Sequence, residues 1–278
     1  MKKPVEKALW FIESRLGAPI TLEDVANASG VSRHYLLRAF GESTGYSTMG
    51  YQRARRLTEA ARALAAGAPD ILSVALDAGY GSHEAFTRAF RDRFGVTPEQ
   101  LRAKGALSAL NLLEPFTVTR QFIDNLPAPR FVDAGAMQIA GLQKRYNCEA
   151  LGEIPAQWAQ FAPHLGSIPG EKPGAAFGVC HNYDGEGSFD YLSGVEVTDF
   201  ALAPPEFARL RLTPKRYAVF EINRHISTIR DAIHTIWSKW LPESGHEAAE
   251  APEFERYSIR FDPRSGLGGY EIWLPIKA

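Results

Sequence analysis

With 278 residues, the chain has the length of about two domains, and its 45% of apolar residues supports packed cores and excludes wholesale disorder. The net charge of −1 conceals two unlike halves: residues 1–108 carry 15 Lys+Arg against 11 Asp+Glu, net +4, and the remainder carries 16 against 21, net −5. Only the first half is therefore expected to meet a polyanion.

The N-terminal stretch MKKPVEKALWFIESRL has charges inside its apolar run, so it lacks the apolar core of a signal peptide. No run of about 18 apolar residues follows anywhere, and a cytoplasmic protein with no membrane partner is expected. Val5, Ala8, Leu9, Ile12 and Leu16 recur at helical spacing. TLEDVANASG opens with Thr21 as N-cap and Asp24 three positions on, a capping box with Asp in place of Glu or Gln. SRHYLLRAFGESTG follows, with Ser32 as cap and Gly45 as stop. A long helix is expected over about Met49–Ala66. ILSVALDAGY and SHEAFTRAFRDRFG then repeat the earlier pair, and Thr97-Pro98 opens a closing helix.

The duplication carries the first functional reading. Val25-Ala26 aligns with Val74-Ala75, Gly30 with Gly79, Arg38 with Arg88, and Phe40 with Phe90. Each copy is a short helix, a turn containing Gly and a longer helix, the helix-turn-helix plan. Ala26 and Ala75 let the helices approach, and Gly30 and Gly79 suit a left-handed turn. Leu36, Leu37, Phe40, Phe86 and Phe90 form the apolar side of the second helices. Their polar sides carry Arg33, His34 and Arg38 in the first copy, and Ser82, His83, Glu84, Thr87 and Arg88 in the second. A helix fits the major groove of duplex DNA, where Arg pairs with guanine. Arg53, Arg55 and Arg56 on the long helix are expected to meet phosphates or to brace the two copies. That helix, about 18 residues at about 1.5 Å each, spans about 27 Å, against about 34 Å between successive grooves. One copy of the chain is thus expected to read an asymmetric site.

From about Phe116 the apolar period falls to two, in FTVTRQF, FVDAGAMQIAGLQ, AAFGVCHNY, YLSGVEV, YAVFEI, FERYSIRF and YEIWLPI, interrupted by helices over Pro155–Leu165 and Ile226–Leu241. The expected fold class is multidomain. An all-α double helix-turn-helix domain occupies residues 1–105, and an α+β domain of two βαββ repeats occupies residues 114–278. In FERYSIRF, alternation places Glu255, Tyr257, Ile259 and Phe261 on one face; in YAVFEI it groups Tyr217, Val219 and Glu221. A carboxylate on an aromatic face is costly unless a cation or donor meets it. Glu255, Tyr257, Tyr217, Trp237, Trp240 and Phe177 are therefore the candidate ligand-binding residues. Cys148 and Cys180 lie 32 positions apart with no CxxC or Cys/His cluster, so no metal site, disulfide framework or other cofactor is expected, and both are expected to be small buried side chains.

Residues Ile71 to Arg102, ILSVALDAGYGSHEAFTRAFRDRFGVTPEQLR, resemble the signature of the AraC/XylS family of transcription regulators. That resemblance implies two reading helices entering successive major grooves, with Arg33, His34 and Arg38 in the first and His83, Glu84, Thr87 and Arg88 in the second. The stretch RYAVFEINRHISTIRDAIHTIWSKWLPESG, with PEFERYSIRF and GGYEIWLPI, resembles a GyrI-like ligand-binding domain. This implies a pocket between two βαββ repeats, with Glu255 placed to meet cationic lipophiles. Together they imply a transcription activator, not an enzyme, that binds promoter DNA as a monomer, contacts RNA polymerase and senses an amphipathic or aromatic small molecule. The alternative is a GyrI-like hydrolase or drug-sequestering protein, with Glu255 as base beside Tyr257 or Tyr217.

Overall fold

A computed structural model describes residues 4–116, 122–147, 151–184 and 187–277. The chain forms two compact units, residues 1–36 with 46–118, and residues 37–45 with 119–278. The division does not follow chain order, because the second unit takes a segment of the first helix-turn-helix copy.

Among the described residues, seven helices occupy the N-terminal region: α1 (Pro4–Ser14), α2 (Leu22–Ser29), α3 (Arg33–Thr44), α4 (Thr48–Ala65), α5 (Ile71–Asp77), α6 (His83–Phe94) and α7 (Pro98–Lys104). Their starts are set by side-chain caps. The Thr21 hydroxyl accepts from the Asp24 amide and the Asp24 carboxylate accepts from the Thr21 amide at 2.8 Å, so the Asp form of the capping box is present. Ser32, Ser47, Asp70 and Ser82 cap α3 to α6, and Thr97 with Gln100 forms a second capping box on α7. Around α4, Leu57, Ala61 and Leu64 pack with Val74 and Ala75 of α5, Phe86 and Phe90 of α6, and Leu101 of α7. Tyr80, Phe86, Phe90 and Phe94 extend this core as a ladder of rings with centroids 5.5, 5.4 and 4.8 Å apart.

Of the α4 arginines Arg53, Arg55 and Arg56, the last two act as braces. Arg55 pairs with Glu13 at 2.9 Å and donates to the Leu113 carbonyl. Arg56 donates to the carbonyls of Leu16 and Ala18 at 2.6 and 2.5 Å. Its guanidinium lies against Gly79, where a Cβ would stand 2.5 Å from Nη1 and where φ is +84°. The glycine in the second turn thus answers both to backbone hand and to the arginine beside it.

Among the described residues, the second unit is built on one antiparallel sheet of eight strands: β1 (Arg130–Ala134), β2 (Met137–Asn147), β3 (Glu171–His181), β4 (Ser188–Val197), β5 (Ala208–Leu212), β6 (Lys215–Ile222), β7 (Glu253–Ser258) and β8 (Tyr270–Pro275). Helix α8 (Ile154–Phe161) separates β2 from β3, and α9 (Ile229–Thr235) begins the second crossover. The second crossover continues through a π turn over Ile236–Trp240 and a short α10 (Leu241–Ser244). The strand order β1-β6-β8-β7-β3-β4-β2-β5 contains the two βαββ repeats, β2-α8-β3-β4 and β6-α9-β7-β8. The halves join where β3 pairs with β7, from Ala175↔Ser258 to Cys180↔Glu253. The remaining strands are exchanged: β1 pairs with β6 and β5 with β2.

Three expectations change. FVDAGAMQIAGLQ is two strands, broken at Gly135-Ala136. ARLRL forms β5, a strand that its pattern does not announce because Arg209 and Arg211 break the apolar run. FERYSIRF leaves the sheet after Ser258, where the Phe261 amide turns back onto the Ser258 carbonyl at 2.9 Å; Ile259 is 88% exposed and does not share the face of Glu255. Most of FTVTRQF, and Cys148, lie outside the described residues; Cys180 is buried.

Candidate functional site

Alternation along β7 sends Glu253, Glu255 and Tyr257 to one face of the sheet, and Phe254 and Arg256 to the other. Glu255 is half-buried, on an interior strand paired with Gly178 on one side and Ile272 on the other, and its carboxyl group is densely surrounded. Its Oε2 accepts from the Tyr191 hydroxyl at 2.7 Å and the Tyr257 hydroxyl at 3.3 Å. Trp158 of α8 donates Nε1 to the Tyr191 oxygen at 2.8 Å and sets its ring edge-on to Tyr257, centroids 5.2 Å apart. Gly178 of β3, opposite Glu255 in the register, makes this arrangement possible. A Cβ there would stand 2.1 Å from the Tyr191 hydroxyl and 2.3 Å from the Glu255 Oε2.

Burial pushes the Glu255 carboxyl up to about 7, against the Tyr191 hydrogen bond that pulls it down and with the Glu253 charge that adds to the rise. The surrounding hydroxyls of Tyr191 and Tyr257 are pushed well up by burial and by Glu255, so they stay donors. This is an electron-rich, acidic cup lined by aromatic rings, suited to a lipophilic cation.

Glu253 anchors a second cup on the same face. It accepts from the Tyr183 hydroxyl at 3.1 Å and from Trp237 Nε1 at 3.2 Å, and pairs with Nη2 of Arg38. The Arg38 guanidinium carbon stands 5.0 Å from the Tyr183 ring centre and 5.8 Å from that of Trp237. Arg38 belongs to the α3 segment, residues 37–45, that is part of this unit, and is 5% exposed. Its other terminal nitrogen faces Glu42 at 3.4 Å.

The structure brings Glu255 and Tyr257 together and puts Trp237 at the Glu253 end of the face. It separates the other ligand-binding candidates. Phe177 and Tyr217 sit on the opposite face, packed with Phe254 and Trp273, because strand parity sends them there; this corrects their placement beside Glu255. Trp240 packs its ring against Phe220 at 4.9 Å instead of lining the Glu255 cup.

Of the residues expected on DNA, Arg33, Glu84 and Arg88 are exposed, and Arg33 lies 3.7 Å from Glu23. His34 and Thr87 are half-buried. Ser82 caps α6, and His83 Nε2 stands 2.9 Å from Glu99. Arg38 differs from all of these in being buried.

Comparison with known proteins matches residues 25–104 to a helix-turn-helix domain and residues 127–277 to the GyrI-like small molecule binding domain. The right origin-binding protein of Escherichia coli K12 is 33% identical over 276 residues, covering 94% of this chain and 92% of that protein. Transcriptional regulator Rob of Salmonella typhimurium is 31% identical over 277 residues, covering 94% and 92%. The multiple antibiotic resistance protein MarA of Escherichia coli K12 is 34% identical over 111 residues, 40% of this chain and 87% of that protein.

The chain belongs to the AraC-type regulators that carry a GyrI-like domain. Its GyrI-like domain contributes the acidic aromatic face and its helix-turn-helix domain the paired helices α3 and α6. Trp158, Gly178, Tyr183, Tyr191 and Glu253 join the site without having been candidates from the sequence. Tyr183 and Tyr191 stood among the aromatic residues of the second half, but only strand pairing places them beside the carboxylates. Gly178 between two aromatic-rich strands was the one local signal of a close approach. No helix among the described residues is long and apolar enough to cross a membrane.

Proposed function

We propose that the protein is a transcription activator of the cytoplasm. It binds promoter DNA as a monomer through Arg33, His34 and Arg38 of α3 and Ser82, His83, Glu84, Thr87 and Arg88 of α6, and contacts RNA polymerase when bound. Its GyrI-like domain senses an amphipathic or aromatic cation that settles on Glu255. The observation that carries this reading is Glu255 itself: a carboxylate held between the Tyr191 and Tyr257 hydroxyls on an aromatic face. A ligand alters regulation only if it binds the active and inactive states with different affinity. A hydrolytic reading would use Glu255 as base beside Tyr257 or Tyr217; Tyr257 lies 3.3 Å from it and Tyr217 is on the other face of the sheet, and we expect tetraphenylphosphonium or benzamidine to be recovered unchanged after incubation.

The test has two arms. Titration of the full chain with tetraphenylphosphonium, followed by Trp fluorescence, is expected to saturate, and Glu255→Gln to weaken it at least tenfold. Separately, Arg88→Ala is expected to lose about 1–3 kcal/mol on a duplex selected by the wild-type protein from a random pool. An unchanged titration in the first arm removes the sensor, and unchanged affinity in the second removes the DNA assignment.

A further inference from the structure

Residues 38–44 of α3 are buried on every side, although four of the seven, Arg38, Glu42, Ser43 and Thr44, are polar or charged. A reading helix with no exposed face in this stretch is not presenting it to a duplex. Within the second unit, Arg38 fills the cup of Glu253, Tyr183 and Trp237, and Ser43 Oγ stands 3.1 Å from Ser238 Oγ and 3.3 Å from His234 Nδ1. We infer that this cup is a guanidinium site, held in the resting protein by Arg38 and taken in the activated protein by a flat aromatic cation of the amidine or guanidine class. This rests on the sensor reading above and extends it to a second anionic anchor, Glu253, distinct from Glu255.

The chemistry of the cup fits that ligand class. A planar cation satisfies a carboxylate at its edge while its faces meet aromatic rings, which a compact ammonium does less well. The two hydrogen bonds from Tyr183 and Trp237 fix the Glu253 carboxylate without neutralising it. Arg38 is an imperfect occupant: its Nε is buried with no hydrogen-bond partner among the described residues, a loss that a buried donor feels in full. An aromatic amidine offers its nitrogens to the carboxylate without that stranded donor, and its ring adds apolar contact. Arg38 has the advantage of tethering, which acts like a high local concentration, so the site is poised for exchange. Occupancy is exclusive. A guanidinium between Tyr183 and Trp237 is not at the same moment on a guanine edge, so any cation that takes the cup frees Arg38 for DNA.

The cup is tested with Glu253→Gln, which keeps shape and removes charge, and with the pair Ser43→Cys and Ser238→Cys, which locks residues 37–45 in place when oxidised. Benzamidine is the probe, and the selected duplex is the DNA. Glu253→Gln is expected to bind the duplex about tenfold more tightly than wild type without benzamidine and to lose the response to it. In wild type, benzamidine is expected to raise amide hydrogen exchange in residues 37–45. The oxidised double-cysteine protein is expected to bind the duplex at least tenfold more weakly than the same sample after dithiothreitol. Equal DNA affinity of Glu253→Gln and wild type, or of oxidised and reduced protein, overturns the inference. Neither variant touches Glu255 or Arg88, so failure here is distinct from failure of the sensor or DNA assignments.

Discussion

At the scale of single residues, Glu255 sets a pH dependence whose sign follows from its environment. Its carboxyl is raised to about 7 in the folded chain, so below that pH it is largely protonated and offers a cation little. Affinity for tetraphenylphosphonium is expected to rise from pH 6 to pH 8 and then level off, and Glu255→Gln to flatten the profile. Stability moves the other way. Between the ordinary carboxylate value and about 7 the folded state binds the proton that the unfolded state has lost, so this group makes the fold less stable as pH rises through that window. Thermal melts of Glu255→Gln against wild type at pH 5 and pH 8 check the second sign, the mutant gaining relative to wild type at the higher pH. Gly178→Ala is expected to cost about 1–3 kcal/mol, as overpacking does, and to weaken cation binding, because its methyl group displaces the Tyr191 hydroxyl from Glu255; calorimetry and titration on one sample read both. The importance of Glu255 was visible in a six-residue strand, since alternation alone puts it beside Tyr257. Its partners Tyr191 and Trp158 were not, because only strand pairing and the α8 crossover bring them within hydrogen-bond reach.

At the scale of elements, the duplicated helices were legible because caps and stops are local. Thr21, Ser32 and Thr97 announce helix starts, and each acts as a cap. The role of α4 was harder to read, since Arg55 and Arg56 suit phosphates and carbonyls equally. The structure gives them to Glu13 and to the carbonyls of Leu16 and Ala18. Arg56→Ala is expected to destabilise the protein by about 1–3 kcal/mol through the orphaned carbonyls, read as a lower Tm, with a further loss in affinity for the selected duplex because the turn at Gly79 loses its support. The crossover after β6 shows the opposite case. Trp237 and Trp240 look like one helical stripe, but the π turn over Ile236–Trp240 places more residues in its turn and rotates Trp240 away toward Phe220, leaving Trp237 on Glu253. Nothing in the apolar period announces that insertion.

At the scale of the whole molecule, the charge division and the duplication make one quantitative statement about DNA. The net +4 of residues 1–108 is modest, so phosphate contacts alone are expected to hold the chain weakly, and on the proposed reading specific binding depends on both α3 and α6 reaching base edges. Helix α4, with 18 residues, spans about 27 Å and fixes the distance the two copies can serve. Two major-groove faces about 34 Å apart are within its reach only when they lie on the same side of the duplex. Inserting five base pairs between the two halves of the selected site turns one groove by half a revolution. Each base pair lost from direct reading costs about 1–3 kcal/mol, so the insertion is expected to lower affinity at least a hundredfold, while a ten-pair insertion restores facing but exceeds the span and is expected to remain weak. A band-shift titration on the three duplexes, with stoichiometry from sedimentation, decides it. Equal affinity for the native and five-pair duplexes at one chain per duplex means that a single helix-turn-helix copy does the reading. A two-chain complex means that the monomer reading is wrong and that the asymmetric site is shared between copies.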